Sequence, residues 1–120
     1  IFIEVFARSG IKSEKSKKLL QGGKDLITTS LVLSEVEWVL RTAYILDRVG
    51  ISKYIKNVLS SDVVIDNRKT LINVLEFYES NSVDWTDCIN MFFLKDKEIH
   101  EAYSYDKGLN KFDWIKRVEP

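Results

Sequence analysis

The chain has 120 residues, 45% of them hydrophobic and 12% aromatic, and its 18 basic side chains balance 18 acidic ones. That is enough apolar material for one buried core, which excludes a disordered chain, and the zero net charge gives no bulk warrant for a nucleic-acid binder. A single cysteine, Cys88, and a single histidine, His100, exclude a disulfide framework, a Cys-rich zinc site and a multi-histidine metal centre. No apolar run approaches the ~18 residues of a membrane helix, so the composition predicts one cytoplasmic domain over residues 1–120, an enzyme or a binding module.

The chain opens at Ile1 inside an apolar run, Ile1 to Phe6, without an initiator methionine. Ser13 to Leu20 reads as a short helix, with Ser13 as its cap and Gly22-Gly23 as its stop. Asp25 to Thr29 is a β-prone run, and Ser30 is placed to cap a longer helix carrying Val32, Val36, Val39 and Leu40 on one face. Ile51, Tyr54, Ile55, Val58 and Leu59 give an amphipathic helix after Gly50. Ser61 to Ile65 is strand-like, and Asn67 is placed to cap a helix with Leu71, Val74, Leu75 and Tyr78 inward. Thr86 to Leu94 is helical, with Cys88, Met91 and Phe92 inward. Ile99 to Tyr105 and Trp114 to Val118 are β-prone. Strands alternating with helices predict an α/β fold with a mainly parallel sheet covered on both faces, and such sheets bind ligands beyond the carboxyl ends of their strands.

Those strand ends carry no phosphate-binding glycine loop and no GxSxG elbow. Cys88, on the apolar face of its helix, reads as a small core residue. Carboxylates remain. Glu35 lies in the first turns of the helix after the Asp25–Thr29 strand, Asp84 and Asp87 lie where the chain enters the Thr86–Leu94 helix, and Asp106 follows the Ile99–Tyr105 strand. Acids gathered without bases repel one another and are driven to protonate, a conflict that a hard divalent cation removes. The plainer alternatives are Asp84 or Asp87 as a helix cap, Asp106-Lys107-Gly108 as a turn, and Glu35 as a solvated helix residue.

Val32-Leu-Ser-Glu35-Val-Glu-Trp-Val-Leu40, Asp84-Trp-Thr-Asp87-Cys88 and Ser104-Tyr-Asp106-Lys107 resemble, in this order, three successive motifs of the PIN-domain ribonucleases. The likeness is closest to the VapC-type toxins of toxin–antitoxin pairs, and it spans nearly the whole chain. It implies a three-layer α/β/α sandwich with five mainly parallel strands, and a Mg²⁺- or Mn²⁺-dependent hydrolysis of RNA in which four acids hold the metal. Glu35, Asp87 and Asp106 match the second, third and fourth acids, as both catalytic residues and metal ligands. Asp84 matches an acidic position beside the third, and Ser104 a hydroxyl residue that orients the acids. The implied partners are an RNA substrate, an antitoxin protein and a second copy of the chain in a homodimer.

The family's first acid belongs to an Asp-x-Asn triplet that ends the first strand, just before the first helix. With Ile1 to Arg8 as that helix, the central first strand and its aspartate are expected upstream of Ile1. Alternatively, Ile1 to Phe6 is itself the strand and Glu4 replaces the aspartate. Without that aspartate the likeness implies a catalytically inactive PIN-like module that binds protein or RNA.

Charge is unevenly spread along the chain. Residues 1–24 hold six bases (Arg8, Lys12, Lys15, Lys17, Lys18, Lys24) against Glu4 and Glu14, a local +4. Residues 61–90 hold two bases against six acids, a local −4. A basic rim about an acidic centre suits a phosphate backbone. Trp38, Tyr44 and Trp114 read as core residues, with base stacking as the alternative use.

Overall fold

The computed structural model describes all 120 residues and divides them into two compact units, 1–68 and 69–120. The fold is mixed α/β, rich in helix, with short parallel strands.

In the first unit, α1 (Phe2–Ala7) is a helix, and α2 (Ile11–Gly22) follows after a break at Gly10, whose φ of 97° suits a residue without a side chain. Ile1 to Phe6 is therefore not a strand. Phe2 and Phe6 of α1 stack at 6.0 Å, and Phe6 stacks on Tyr54 at 4.8 Å. Ser13 does not cap α2; it lies inside the helix with Ser16, and both are buried. Gly23 ends α2, its N–H reaching the Leu19 carbonyl at 2.7 Å.

The β-prone run at 25–29 contracts to β1 (Ile27–Thr28), followed by α3 (Ser30–Thr42), and the helix cap is Thr29 rather than Ser30. The Thr29 hydroxyl accepts from the Val32 N–H at 3.3 Å. The buried stripe of α3 is Leu33, Val36, Glu37 and Leu40, turned from the expected one, so Val32 and Val39 are only half-buried. Glu37, 3% exposed, pairs with Arg41 at 2.8 Å.

Helix α4 (Arg48–Leu59) starts earlier than the apolar pattern suggests, because Asp47 caps it through the Gly50 N–H at 2.8 Å. Ile51 and Ile55 of α4 and Leu33 and Leu40 of α3 are fully buried. β2 (Val64–Ile65) then pairs parallel with β1, Ile27 opposite Val64 and Thr28 opposite Ile65. Arg68 fastens the connection before β2 by donating to the Leu59 and Val63 carbonyls.

Helix α5 (Arg68–Ser80) carries the chain into the second unit, preceded by Asn67 in the left-handed region at φ 52°, which asparagine tolerates better than most residues. Its buried face is the expected one, with Thr70 added. α6 (Trp85–Asp96) buries Cys88, Met91 and Phe92 as expected, together with Trp85 and Ile89. The closing strands are short: β3 (Glu101–Tyr103) pairs parallel with β4 (Lys116–Val118), a 3₁₀ turn at Lys107–Lys111 lying between them. Phe77, Phe92, Phe112 and Trp114 form an aromatic cluster with centroid distances of 4.7 to 5.7 Å. Trp114 donates to the Met91 carbonyl at 3.0 Å and lies under Lys95 at 4.3 Å.

The expected five-stranded sheet is not formed as one piece; the structure holds two two-stranded parallel sheets, β1-β2 and β3-β4. Strands of two or three residues supply few ladder bonds, so packing and side-chain ties must position the segments that leave them. One such tie is Asp66, directly after β2. It accepts from the Ser30 N–H at 2.7 Å and the Ser30 hydroxyl at 3.0 Å, joining the end of β2 to the first residue of α3. An acceptor at this helix start also meets the positive end of the dipole. Asp66→Ala is expected to lower the unfolding free energy by about 1 kcal/mol, read from the urea midpoint, with Asp66→Asn losing less; unchanged midpoints for both would deny the tie a stabilising part.

Candidate functional site

The second unit brings together three of the five predicted residues as an electrostatic group. Asp84 stands at the N-cap position of α6 in extended backbone (φ −72°, ψ 144°), yet its side chain makes no capping hydrogen bond. Asp87 lies in the first turn of α6 and is half-buried. Trp85, Cys88 and Ile89, all buried, fix the rotation of α6 and leave Asp84 and Asp87 on its outer side.

Asp106 follows β3 and opens the 3₁₀ turn, where its Oδ1 accepts from the Gly108 N–H at 2.7 Å. The turn alternative for Asp106-Lys107-Gly108 is thus present, and it leaves Oδ2 as the oxygen not engaged in that bond. Ser104 holds the same turn, its hydroxyl accepting from the Asp106 N–H at 3.0 Å. Ser104 is itself tied to β4, through its N–H to the Val118 carbonyl at 2.9 Å and its carbonyl to Arg117 at 2.9 Å. Arg117 also binds Asn110 and Glu119, at 3.1 and 2.8 Å.

Asp87 is the member of the group on which the surroundings act. Burial, then the charge of Asp106, then that of Asp84 raise the Asp87 carboxyl above the usual carboxylate range. Desolvation and like charges both penalise the ionised form, and none of the causes acting on Asp87 is a base.

Glu35 belongs to the first unit. It lies on α3 and lines a groove of about 270 Å³ with Ile1, Phe2, Val32, Val36 and Trp38. Trp38 is 58% exposed at this groove, against the expectation of a core residue, whereas Trp114 and Tyr44 are half-buried. The turned stripe of α3 is the cause: Glu37 and Leu40 take the inward positions and Trp38 is left outside. Within neither unit do three His, Cys, Asp or Glu side chains converge closely enough to enclose a metal ion.

Sequence reasoning overlooked two carboxylates. Asp66 follows a strand, the very place a strand-end search should examine, and it anchors the helix that carries Glu35. Glu37 was visible only as part of the Glu-x-Glu-Trp run, and its burial depends on the rotation of α3. No protein-family model matches the chain, and no curated protein or solved structure matches it either.

A carboxyl that titrates high in the folded chain contributes stability that is fully present below the ordinary aspartate pKa and lost as pH rises through the raised value. Ionised Asp87 therefore costs stability at neutral pH. Asp87→Asn is expected to raise the thermal midpoint at neutral pH, with the gain shrinking towards about pH 3, where the carboxyl is protonated in both states. A variant less stable than wild type at neutral pH would contradict this assignment.

Proposed function

We propose that the chain is a divalent-metal-dependent endoribonuclease of the PIN type, acting as the toxin of a VapBC-type toxin–antitoxin pair in the cytoplasm. The observation that carries this reading is the grouping of Asp84, Asp87 and Asp106 from two separate segments of the second unit, where burial, then the charges of Asp106 and Asp84, raise the Asp87 carboxyl. It is supported by the helix at Phe2–Ala7, which the likeness requires directly after the first strand, and by the Ser104 hydroxyl at the Asp106 turn.

In this proposal the fold is the three-layer α/β/α sandwich with a mainly parallel sheet. By the likeness Glu35, Asp87 and Asp106 are the ligands of Mg²⁺ or Mn²⁺, and Asp84 adds negative charge near Asp87. The donor set suits such an ion, being all carboxylate oxygen. When bound, the ion supplies Lewis acidity towards the scissile phosphodiester and its departing oxygen. The chain's own part is positional. Trp85 and Cys88 hold the turn of α6 that aims Asp87, Ser104 fixes the Asp106 turn, and Asp66 fixes the start of α3, the helix of Glu35. The proposed partners are RNA, an antitoxin protein and a second copy of the chain.

A second reading, an inactive PIN-like module that binds protein or RNA, is favoured by one observation: no three His, Cys, Asp or Glu side chains are gathered closely enough to hold a metal ion. RNA cleavage by the protein separates the two. With Mn²⁺, wild type is expected to cut and Glu35→Gln, Asp87→Asn and Asp106→Asn to lose roughly 100-fold or more, while EDTA abolishes cutting in all. Equal, metal-independent activity in every variant would overturn the mechanism, and no cutting by wild type would favour the binding module.

A further inference from the structure

Four of the six bases in residues 1–24 have no carboxylate partner. Glu4 pairs with Arg8 at 2.7 Å and Glu14 with Lys17 at 3.0 Å, so both acids of this segment are taken. Lys12, Lys15, Lys18 and Lys24 remain, all exposed. Lys12, Lys15 and Lys18 recur at every third residue of α2, a strip that rises about 9 Å along the helix.

Beyond a solvated helix face, neither ion pairing nor the helix dipole accounts for this strip. None of the three is in an ion pair. The helix dipole favours cations in the last turn, but α2 has no base there, and Lys12 stands near the unfavourable positive end. Like charges three residues apart weaken a helix. A polyanion laid along the outer face reverses each of these penalties.

We infer that the outer face of α2 is a docking strip for the phosphate backbone of single-stranded RNA, with Lys12, Lys15 and Lys18 as its contacts. The choice of RNA among polyanions rests on the nuclease reading. The helix carries no aromatic residue, so bases find no stacking platform on it and contact is made through phosphates, without sequence preference. An anionic lipid surface fits less well. Its helices segregate a broad apolar face, whereas the inward face of α2 holds Ser13 and Ser16, and its exposed Ile11 and Leu19 stand among the lysines.

The test is binding of a fluorescein-labelled uridine 20-mer in EDTA, followed by anisotropy across a salt series. The proteins are wild type, the Lys12→Gln/Lys15→Gln/Lys18→Gln triple variant, the corresponding triple arginine variant, and a Lys53→Gln/Lys97→Gln control. Glutamine keeps helix propensity close to that of lysine, and circular dichroism checks the fold. With roughly 0.7 of slope per neutralised phosphate, the glutamine triple is expected to lose about 2 from the slope of log K against log salt. The arginine triple and the control keep the slope. An unchanged slope in the glutamine triple overturns the strip, and so does loss of binding to phosphatidylserine vesicles, or to an acidic peptide, with RNA binding intact. Because binding is read without metal, a lysine-dependent slope in a protein that cuts nothing upholds the strip and removes the nuclease reading. Cutting by a protein whose slope ignores the lysines removes the strip alone.

Discussion

Carboxylates brought to the start of α6 and to the turn after β3 repel one another, and the second unit has to hold them there against that repulsion. The effect is concentrated on Asp87, the more buried member, whose carboxyl is driven up by burial, Asp106 and Asp84. Nothing in the strands alone suffices to oppose it, since β3 and β4 contribute three residues each. The opposition comes from packing. Trp85 is set edge-on to Tyr78 at 5.3 Å, Cys88 is wholly buried, and Phe92 is clamped in the aromatic cluster with Trp114, so α6 is not free to rotate its acids apart. The Asp106 side of the group is held by a relay from β4 through Ser104. A local arrangement that costs stability and is nonetheless firmly supported is a common property of functional sites.

Much of this was legible in the sequence, and the parts that were not have specific causes. The inward faces of α4, α5 and α6 could be read from the spacing of their apolar residues. Their beginnings were harder to read. Asp47 and Thr29 cap α4 and α3 through a single backbone N–H each, a choice between adjacent polar residues that periodicity does not make. In α3 the valines suggested one stripe, but Leu33 and the Glu37–Arg41 pair turned the helix, placing a carboxylate inside and Trp38 outside. A paired glutamate reads in a sequence as a surface residue, so this rotation had no signal. The β-prone runs were longer than the strands they form, because β-branched residues suit an extended backbone whether or not a neighbouring strand is present to bond.

The acids divide in the same way. Asp84, Asp87 and Asp106 could be placed at strand ends and helix starts from order alone, and the structure adds that Asp84 stands at a cap position without using its side chain as a cap. Asp66 could have been found by the same rule, and it is engaged in securing Ser30 and so supports α3. Charge is also divided between the two units. The acids that act on Asp87 lie in the second unit, and the strip of lysines with no acidic partner lies on α2 in the first. Zero net charge thus conceals two regions of opposite sign, each asking for a counterion of a different kind.

The central proposal is that the acids around Asp87 hold a divalent cation. Calorimetric titration of the protein with Mn²⁺, wild type beside Asp87→Asn, tests it most directly. Saturable binding is expected in wild type, weakened roughly tenfold or more in Asp87→Asn, which removes one carboxylate ligand. No binding by wild type, or a wild type and Asp87→Asn that titrate alike, would contradict it.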